Sequence, residues 1–295
     1  MHRFTYRLIS TTIGAIQNQE PVLWHTIVQF CRESERHGEL GEHLCKVIEG
    51  LSEITLKVMG VCCSTYKITG VNMAEQQAVV ITGANRGIGL ELARHYAREG
   101  WRVIGVCRES SGELEAVAAQ VIAPVDVTSD QDVAQLAKDL SAERIDLLIN
   151  NAGLLQENEL GCIDFDSLRM QMEVNAYGPL RVTEALMFLI PAGGKIANIS
   201  SVLGSIARND FGARYGYRAS KAALNAFGKS LAVDFKPRGI AVAQLHPGYV
   251  QTGMTKGSGE ITTTESVEGL TARIAALNLQ NTGSFWHQRG EVLPW

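Results

Sequence analysis

The chain has 295 residues, a formal net charge of −4 and a hydrophobic fraction of 45%. That fraction is large enough for a true core and excludes an intrinsically disordered chain. Charges of both signs are interspersed without the basic stripe that releases counterions from a nucleic acid, so no nucleic-acid partner is predicted. No apolar run approaches the roughly 18 residues of a membrane span, and no membrane partner is predicted either.

Residues 1–72 form an N-terminal extension that differs in pattern from the rest. They contain four of the seven histidines and four of the six cysteines, without strand–helix alternation. Three interpretations stay open: a non-catalytic or disordered segment upstream of a true start at Met73, a transit peptide, or a small helical addition over Leu40–Val58. The cysteines show neither a CxxC pair nor a Cys/His metal spacing, which predicts no metal site, reduced thiols and a cytoplasmic location.

From Ala78 onward, short β-branched runs alternate with longer amphipathic stretches, the pattern of βαβ units. The predicted strands are Ala78–Thr82, Arg102–Cys107, Val121–Val125, Ile145–Asn150, Lys195–Ser200 and Ile240–Leu245. The predicted helices include Gly89–Arg98, Val133–Leu140 and Tyr217–Phe235. Right-handed crossovers between parallel strands give a doubly wound, Rossmann-type α/β sheet with helices on both faces. We expect residues 73–295 to form one such domain.

A glycine-rich turn follows the first predicted strand. It reads Thr82-Gly83-Ala84-Asn85-Arg86-Gly87-Ile88-Gly89 and leads directly into a helix. Glycines allow a tight strand-to-helix turn, and the helix start then presents free N–H groups to a pyrophosphate. The turn therefore predicts a dinucleotide site.

The choice of dinucleotide depends on the end of the second strand. An acid there would bind the ribose 2′-hydroxyl and repel a 2′-phosphate. Here Arg108 follows the strand and Arg86 lies in the glycine turn, and two guanidinium groups suit a phosphate dianion. This favours NADP(H), while Glu109 beside Arg108 leaves NAD(H) open.

Tyr217 and Lys221 are four residues apart and thus lie on one face of a helix. Reduction of a ketone needs a proton donor as the hydride arrives. A tyrosine is a weak acid, and a neighbouring ammonium that favours its phenolate makes it a better one. Ser201, after the fifth strand, is the candidate donor of a hydrogen bond to the substrate oxygen.

These elements together resemble the short-chain dehydrogenase/reductase family, from about Ala78 to the end of the chain. The matching motifs are TGxxxGxG, the sequence Asn150-Asn151-Ala152-Gly153, Asn175, Ser201, YxxxK and the segment Pro247-Gly248-Tyr249-Val250-Gln251-Thr252. The resemblance implies that Asp126 and Val127 contact adenine. It implies that Asn151 ties strand ends together while Ala152 and Gly153 leave room for a ribose.

The resemblance assigns further roles around the nicotinamide. Lys221 would hold the ribose hydroxyls, and Asn175 would hold a water that links Lys221 to solvent. Backbone groups of the segment that contains Pro247, Gly248 and Val250, together with Thr252, would contact the carboxamide and phosphate. Ser201 and Tyr217 lie 16 positions apart, about three more than is usual in the family. That insertion leaves Ser200 as an alternative, and the S-x-x-G pattern favours Ser201.

Within the family, Tyr217-Arg218-Ala219-Ser220-Lys221 and its flanks are similar to the C-signal and sniffer-type carbonyl reductase branch. The resemblance implies a reductase of small carbonyl compounds that has Tyr217 as general acid. An NADP(H)-binding signalling protein with incidental turnover is the alternative. The resemblance to the family also implies a homodimer or homotetramer. A Gly/Ser/Thr-rich stretch between Thr255 and Thr264 predicts a mobile lid over the substrate.

Overall fold

The computed structural model describes residues 76–295. The interpretations given above for residues 1–72 lie outside this range. Among the described helices, none combines the length and the apolar character that crossing a membrane requires.

The described chain forms one seven-stranded parallel sheet in the order β3-β2-β1-β4-β5-β6-β7. The strands are β1 Ala78–Thr82, β2 Arg102–Val106, β3 Gln120–Ile122, β4 Leu147–Asn150, β5 Lys195–Ile199, β6 Ala241–His246 and β7 Ser284–His287. The strand order reverses between β1 and β4. In such sheets ligands bind beyond the carboxyl ends of the strands at this switch point.

Helices connect the strands and cover both faces of the sheet. The α-helices are α1 Gly87–Arg98, α2 Gly112–Glu115, α3 Asp130–Asp139, α4 Phe165–Met172, α5 Gly178–Leu186, α6 Tyr215–Phe235 and α7 Thr263–Ala276. A π-helical turn, Glu173–Tyr177, joins α4 to α5. Short 3-10 turns cover Met187–Leu189, Val202–Gly204 and Lys236–Arg238.

Two hydrophobic cores lie on opposite faces of the sheet, because successive strand side chains point in opposite directions. Val79 and Ile81 of β1 pack into one core with α1 and α7, whereas Val80 packs into the other with α3, α5 and α6. All three side chains are fully buried. The predicted doubly wound sheet with helices on both faces is therefore confirmed.

The predicted strand bounds agree with the structure at β1 and differ at the edges of the sheet. Strand β3 ends at Ile122, earlier than predicted, and Pro124 follows with no backbone N–H to continue the pairing. Strand β7 was not predicted at all. Its four residues begin with a serine and end with a histidine, so the buried Phe285 and Trp286 leave too short an apolar run to detect.

Candidate active site

The glycine turn closes tightly against the segment that follows β4. Gly83 has φ +65°, and a side chain on it would come within 2.9 Å of the Ala152 backbone. A Cβ on Gly89 would lie 2.2 Å from the carbonyl oxygen of Gly83 and 2.5 Å from the amide nitrogen of Asn151. Close packing within the protein therefore requires glycine at both positions, whether or not a ligand is bound.

Helix α1 begins without a cap. Its N-cap residue, Arg86, is extended and gives no side-chain hydrogen bond, and the first turn holds no acid. The N-caps of α2, α3, α4 and α7 are all satisfied by a serine, aspartate or threonine side chain. The start of α1 thus keeps unpaired N–H groups and the positive end of its dipole for an anion. This arrangement fits the pyrophosphate of a dinucleotide.

The remaining turn residues flank this helix start. Asn85 lies beside it, and its carbonyl oxygen accepts a hydrogen bond from Ser111 at 2.9 Å. Gly87 has φ +57°, and a side chain on it would lie 3.6 Å from the methyl group of Thr252. The structure therefore brings Gly87 and Thr252 together, although 165 positions separate them in the chain. Ile88 is partly buried and packs against the core.

The adenosine end of the predicted dinucleotide site lies beyond β2 and β3. Arg86 and Arg108 are both exposed at the carboxyl ends of the paired strands β1 and β2, and Glu109 is exposed next to Arg108. Burial would raise the pKa of Asp126, but hydrogen bonds from Thr128 and the charge of Arg108 outweigh it and lower that pKa. Arg108 thus lies close enough to Asp126 for their charges to interact.

Val127 is buried under the start of α5. Its carbonyl oxygen accepts a hydrogen bond from Arg181 at 3.0 Å. A Cβ on Gly178 would lie 2.9 Å from a methyl carbon of Val127. The contact fixes the segment after β3 against α5, at the position predicted to face adenine.

The segment after β4 is held by polar contacts to β1. The hydroxyl of Thr82 accepts hydrogen bonds from the backbone N–H groups of Asn151 and Ala152 at 3.0 and 3.1 Å. The side chain of Asn151 donates to the carbonyl oxygens of Thr82 and Gly83, both at 3.0 Å. Asn151 therefore ties the ends of two neighbouring strands together, as predicted from its amide.

Tyr217, Ser201 and Lys221 lie together where β5 ends and α6 begins. The Ser201 hydroxyl is close enough to the phenol of Tyr217 to lower its pKa, and the ammonium nitrogen of Lys221 lies 5.8 Å from the centre of the Tyr217 ring. All three side chains are buried. The ammonium donates to the carbonyl oxygen of Ile199 at 2.8 Å. Its other two N–H groups have no hydrogen-bond partner within residues 76–295, which leaves them for ligand hydroxyls.

Burial dominates the acid–base properties of this cluster. It raises the pKa of Tyr217 to about 12, against the lowering effects of the Ser201 hydrogen bond and the charge of Arg214. Burial also lowers the pKa of Lys221 to about 8. Near neutral pH the cluster thus holds a protonated phenol beside a lysine that is mostly charged, which is the protonation state that donation to a carbonyl oxygen needs.

The two adjacent serines have different environments. The hydroxyl of Ser200 donates to Asn225 Oδ1 at 2.6 Å and is buried away from Tyr217. Ser201 caps the following 3-10 turn through Leu203 N–H and faces Tyr217. The geometry therefore favours Ser201 for the role that the sequence left open between them.

Asn175 lies in the π-helical turn and is fully buried. Its side chain accepts from Leu154 N–H and donates to Leu154 O, both at 2.7 Å, and also donates to Ser220 at 3.0 Å. A Cβ on Gly153 would lie 3.4 Å from Asn175 Oδ1 and 3.8 Å from the Lys221 ammonium. Both N–H bonds of the amide are occupied, so the side chain can hold a water only through the second lone pair of Oδ1.

The segment between Ser201 and Tyr217 absorbs the predicted insertion. Gly212, Ala213 and Arg214 are consecutive left-handed residues, with φ of +66°, +49° and +50°. Two of them carry side chains, and such strain persists only where neighbours fix it. The backbone N–H of Arg214 donates to Asn158 O at 2.8 Å, which anchors the start of α6.

The segment after β6 folds back on itself. Gly248 has φ +88°, and Pro247 O accepts a hydrogen bond from Ser266 at 2.7 Å. Val250 is buried and pairs with Ile261 in an isolated bridge. Thr255 donates to Val250 O at 2.7 Å and accepts from the Thr252 N–H at 3.1 Å. The stretch predicted as a lid is thus tied down at its base, and its mobility stays a prediction.

His246 is a feature that the sequence reasoning did not single out. It ends β6 directly before Pro247, its side chain is buried, and its Nδ1 has no hydrogen-bond partner in the described chain. It packs edge-on against His287 with ring centroids 4.8 Å apart. Burial, together with the charge of His287, lowers the pKa of His246 to about 3, so the ring is neutral. Within residues 76–295 no cluster of histidine, cysteine and acidic side chains could hold a metal ion.

The chain belongs to the short chain dehydrogenase family, whose model matches residues 77–263. It is therefore an oxidoreductase of the class that interconverts CH–OH and C=O groups, and the predicted family is confirmed.

Three known proteins show what this chain is similar to in sequence or in structure. The 1-hydroxy-2-glutathionyl-2-methyl-3-butene dehydrogenase of Rhodococcus sp. (strain AD45) is 37% identical over 223 residues, 74% of this chain and 99% of the relative. The C-signal of Myxococcus xanthus is 38% identical over 154 residues, 51% of this chain and 93% of the relative. The crystal structure of an NADPH-bound carbonyl reductase from chicken fatty liver has a TM-score of 0.68 and 28% identity, and covers 75% of this chain and 99% of the other.

Proposed function

We propose that the protein is an NADP(H)-dependent carbonyl reductase, with Tyr217 as the general acid. The observation that carries this proposal is the buried cluster of Ser201, the Tyr217 phenol and the Lys221 ammonium. The catalytic domain is proposed to comprise residues 73–295.

The residues of the cluster take separate roles in the reaction. When bound, the reduced nicotinamide supplies a hydride to the carbonyl carbon. The Tyr217 hydroxyl gives its proton to the carbonyl oxygen, and Ser201 donates a hydrogen bond to that oxygen as negative charge develops. Lys221 stabilises the phenolate that remains on Tyr217. A carbonyl compound, NADPH and one proton give an alcohol and NADP⁺.

In this proposal Asn175 is a positioning residue that holds the backbone near Lys221 and binds a water. Its amide is bonded to both the N–H and the C=O of Leu154, which fixes the neighbouring Gly153, where a side chain would lie 3.8 Å from the Lys221 ammonium. A water held on the free lone pair of Asn175 Oδ1 would connect Lys221 to solvent and resupply the proton that Tyr217 gives up.

NADP(H) is the proposed cofactor. The uncapped start of α1 suits its pyrophosphate, and the exposed guanidinium groups of Arg86 and Arg108 suit its 2′-phosphate. Asp126 and Val127 would contact the adenine, and Pro247, Gly248, Val250 and Thr252 the nicotinamide end. The NADPH bound in the similar chicken structure supports this choice.

A deuterium-transfer experiment tests the proposal. NADPH labelled with deuterium at the nicotinamide C4 is incubated with the purified protein and a panel of aldehydes, ketones and quinones. The proposal predicts deuterium on the carbinol carbon of an alcohol product, read by NMR. NADPH that binds but is never consumed with any member of the panel would contradict it.

A second candidate is a signalling protein that binds NADP(H) with incidental turnover. The observation in its favour is the 38% identity to the C-signal of Myxococcus xanthus. The complete cluster of Ser201, Tyr217 and Lys221 favours the enzyme, because a binding protein has no need of a proton donor.

Assembly into a homodimer or homotetramer is part of the proposal. The apolar side chains of Phe188, just after α5, and Val233, near the end of α6, are 72% and 63% exposed, and Tyr177 at the start of α5 is 41% exposed. These side chains are candidates for the apolar surface that another copy would cover, since a contiguous apolar patch is typical of such interfaces. Light scattering during size-exclusion chromatography measures the oligomeric state.

A cytoplasmic location is also proposed. Within the described chain both cysteines, Cys107 and Cys162, are free thiols, and Cys162 is exposed. Free thiols are typical of reducing compartments. Microscopy of the tagged full-length chain tests this location.

A further inference from the structure

Arg214 occupies an unusual position at the entrance of the site. It is the N-cap residue of α6 in a left-handed conformation, and its side chain makes no capping contact. Its backbone N–H is fixed by Asn158 O at 2.8 Å. The strain of this conformation is therefore maintained by a specific contact, and strained residues of this kind concentrate at functional sites.

The guanidinium of Arg214 is held from one side only. Its Nε donates to both carboxylate oxygens of Glu157, at 3.0 and 3.2 Å. Neither Nη1 nor Nη2 forms a hydrogen bond to any residue between 76 and 295. The Arg214 and Glu157 side chains are 45% and 60% exposed. Glu157 thus orients the group and leaves its terminal pair of nitrogens open, a geometry that matches a carboxylate.

Arg214 and the proton donor share one side of the helix start. The N-cap and the third helical residue, here Arg214 and Tyr217, face each other across the first turn. The positive charge of Arg214 lowers the pKa of the Tyr217 phenol, against the larger effect of burial. The guanidinium is therefore close enough to the phenol to act on it electrostatically.

Charges of both signs lie near Arg214: Glu157 pairs with it, and the preceding segment carries a second arginine. The segment Ser205–Arg214 holds two arginines and one aspartate. The guanidinium of Arg208 is exposed and forms no ion pair within the described chain. The same segment exposes Ile206 at 80% and Phe211 at 88%. This entrance combines an apolar surface with open positive charge.

We propose that Arg214 is the specificity-determining residue that binds a carboxylate of the substrate, which makes the substrate class an aldehyde or ketone that also carries a carboxylate. This inference rests on the proposed reductase function. With the carbonyl oxygen at Tyr217, the carboxylate binds Arg214 Nη1 and Nη2, while Glu157 continues to hold Nε. Arg208 adds long-range attraction.

A matched pair of substrates tests the proposal. 4-Carboxybenzaldehyde and methyl 4-formylbenzoate carry the same aldehyde and differ at the carboxylate. The readout is the ratio of their kcat/KM values. We expect wild type to favour the carboxylate, and Arg214→Gln to reduce that ratio by about tenfold, the effect of losing a charge-assisted hydrogen-bonded pair. The wild-type preference should also weaken as NaCl is raised.

Two further variants sharpen the readout. Arg214→Lys keeps the charge without the paired nitrogens and should fall between wild type and Arg214→Gln. Glu157→Gln removes the opposing negative charge and should raise the preference. Arg98→Gln is the matched control, because Arg98 lies at the far end of α1 and pairs with Glu91, and its ratio should equal that of wild type.

The outcomes separate this inference from the proposed function. A ratio that is unchanged in Arg214→Gln, with both aldehydes reduced, overturns the role of Arg214 and leaves the reductase in place. Reduction of neither aldehyde by wild type, together with no reduction across the wider carbonyl panel, overturns both. Thermal unfolding and NADPH binding of each variant establish that a lost preference does not come from a lost fold.

Discussion

Arg218 donates a hydrogen bond from Nε to the backbone carbonyl oxygen of Gly212 at 3.0 Å. Its Nη1 reaches Leu203 O at 3.5 Å, and the side chain is buried. These two carbonyls lie on opposite sides of the inserted segment, one just after Ser201 and the other just before α6. A single guanidinium therefore bridges the two ends of the segment between Ser201 and Tyr217, which explains how these residues come together across 16 positions.

We predict that Arg218→Met lowers kcat by about ten- to a hundredfold, since misplacing a catalytic group by about 1 Å has effects of that size. The Kd for NADPH should change little, because Arg218 lies outside the predicted cofactor contacts. Arg218→Lys, which keeps one donor, should recover part of kcat. Steady-state kinetics and fluorescence titration with NADPH measure the two quantities. Equal kcat values in wild type and Arg218→Met would refute the positioning role.

Lys221→Met should stabilise the cofactor-free protein. Burial lowers the pKa of Lys221 to about 8 from 10.5 in the unfolded chain, equivalent to roughly 3 kcal/mol. Below pH 8 the lysine is charged in both states, so the full destabilisation is present. Between pH 8 and 10.5 the unfolded chain binds more protons, and wild-type stability rises with pH.

The advantage of Lys221→Met should therefore be largest below pH 8 and shrink as pH rises to 10.5. Urea unfolding at several pH values measures it. Lys229→Met, an exposed lysine on the same helix, is the matched control for the loss of a charge. An advantage that grows between pH 8 and 10.5 would contradict the assignment of a buried, weakened base.

Asn175→Ala should lower the free energy of unfolding by about 2 kcal/mol, because it leaves the partly buried N–H and C=O of Leu154 without their side-chain partner. It should also lower kcat, since the Asn175 amide fixes Leu154 next to Gly153, and a side chain on Gly153 would lie 3.8 Å from the Lys221 ammonium. Urea unfolding and steady-state kinetics test both effects. Full stability in Asn175→Ala would show that the Leu154 contacts do not hold this segment.

Arg108→Ala should raise the Kd for NADPH about tenfold through loss of a charge-assisted contact to the 2′-phosphate. The Kd for NADH, which lacks that phosphate, should stay within about twofold. Arg169→Ala, at an exposed arginine of α4 that pairs with Asp166, serves as the control. An equal change for both cofactors would remove the argument for the phosphate.

Much of this architecture was predictable from local pattern. Ala78–Thr82 is a fully buried strand, apolar up to its last residue, whose bounds agree with the prediction, because burial on both faces requires such an apolar run. The Tyr217–Lys221 spacing predicted a shared helix face for a similar reason, because one helical turn sets the geometry of that pair. The glycine turn was recognisable from its own residues, although its glycines also pack closely against the segment after β4.

Features set by distant contacts could not be predicted in this way. The sequence favoured Ser201 only through the S-x-x-G pattern, whereas the contact that occupies the Ser200 hydroxyl comes from Asn225 in another element. The left-handed Arg214 is stabilised by Asn158, 56 positions away. Both partners are distant in sequence, so no local pattern around Ser200 or Arg214 indicates the contact. The roles of Arg214 and Arg218 were missed for this reason, although Arg218 lies inside the YxxxK motif.

The role of Tyr217 as proton donor is the central claim, and single-turnover reduction of an aldehyde by prebound NADPH tests it most directly. Tyr217→Phe removes only the hydroxyl, and Tyr215→Phe makes the same change at a partly exposed tyrosine two residues earlier. The account predicts tight NADPH binding in both variants, with reduction about a hundredfold or more slower in Tyr217→Phe and unchanged in Tyr215→Phe. Reduction by Tyr217→Phe at the wild-type rate would contradict it.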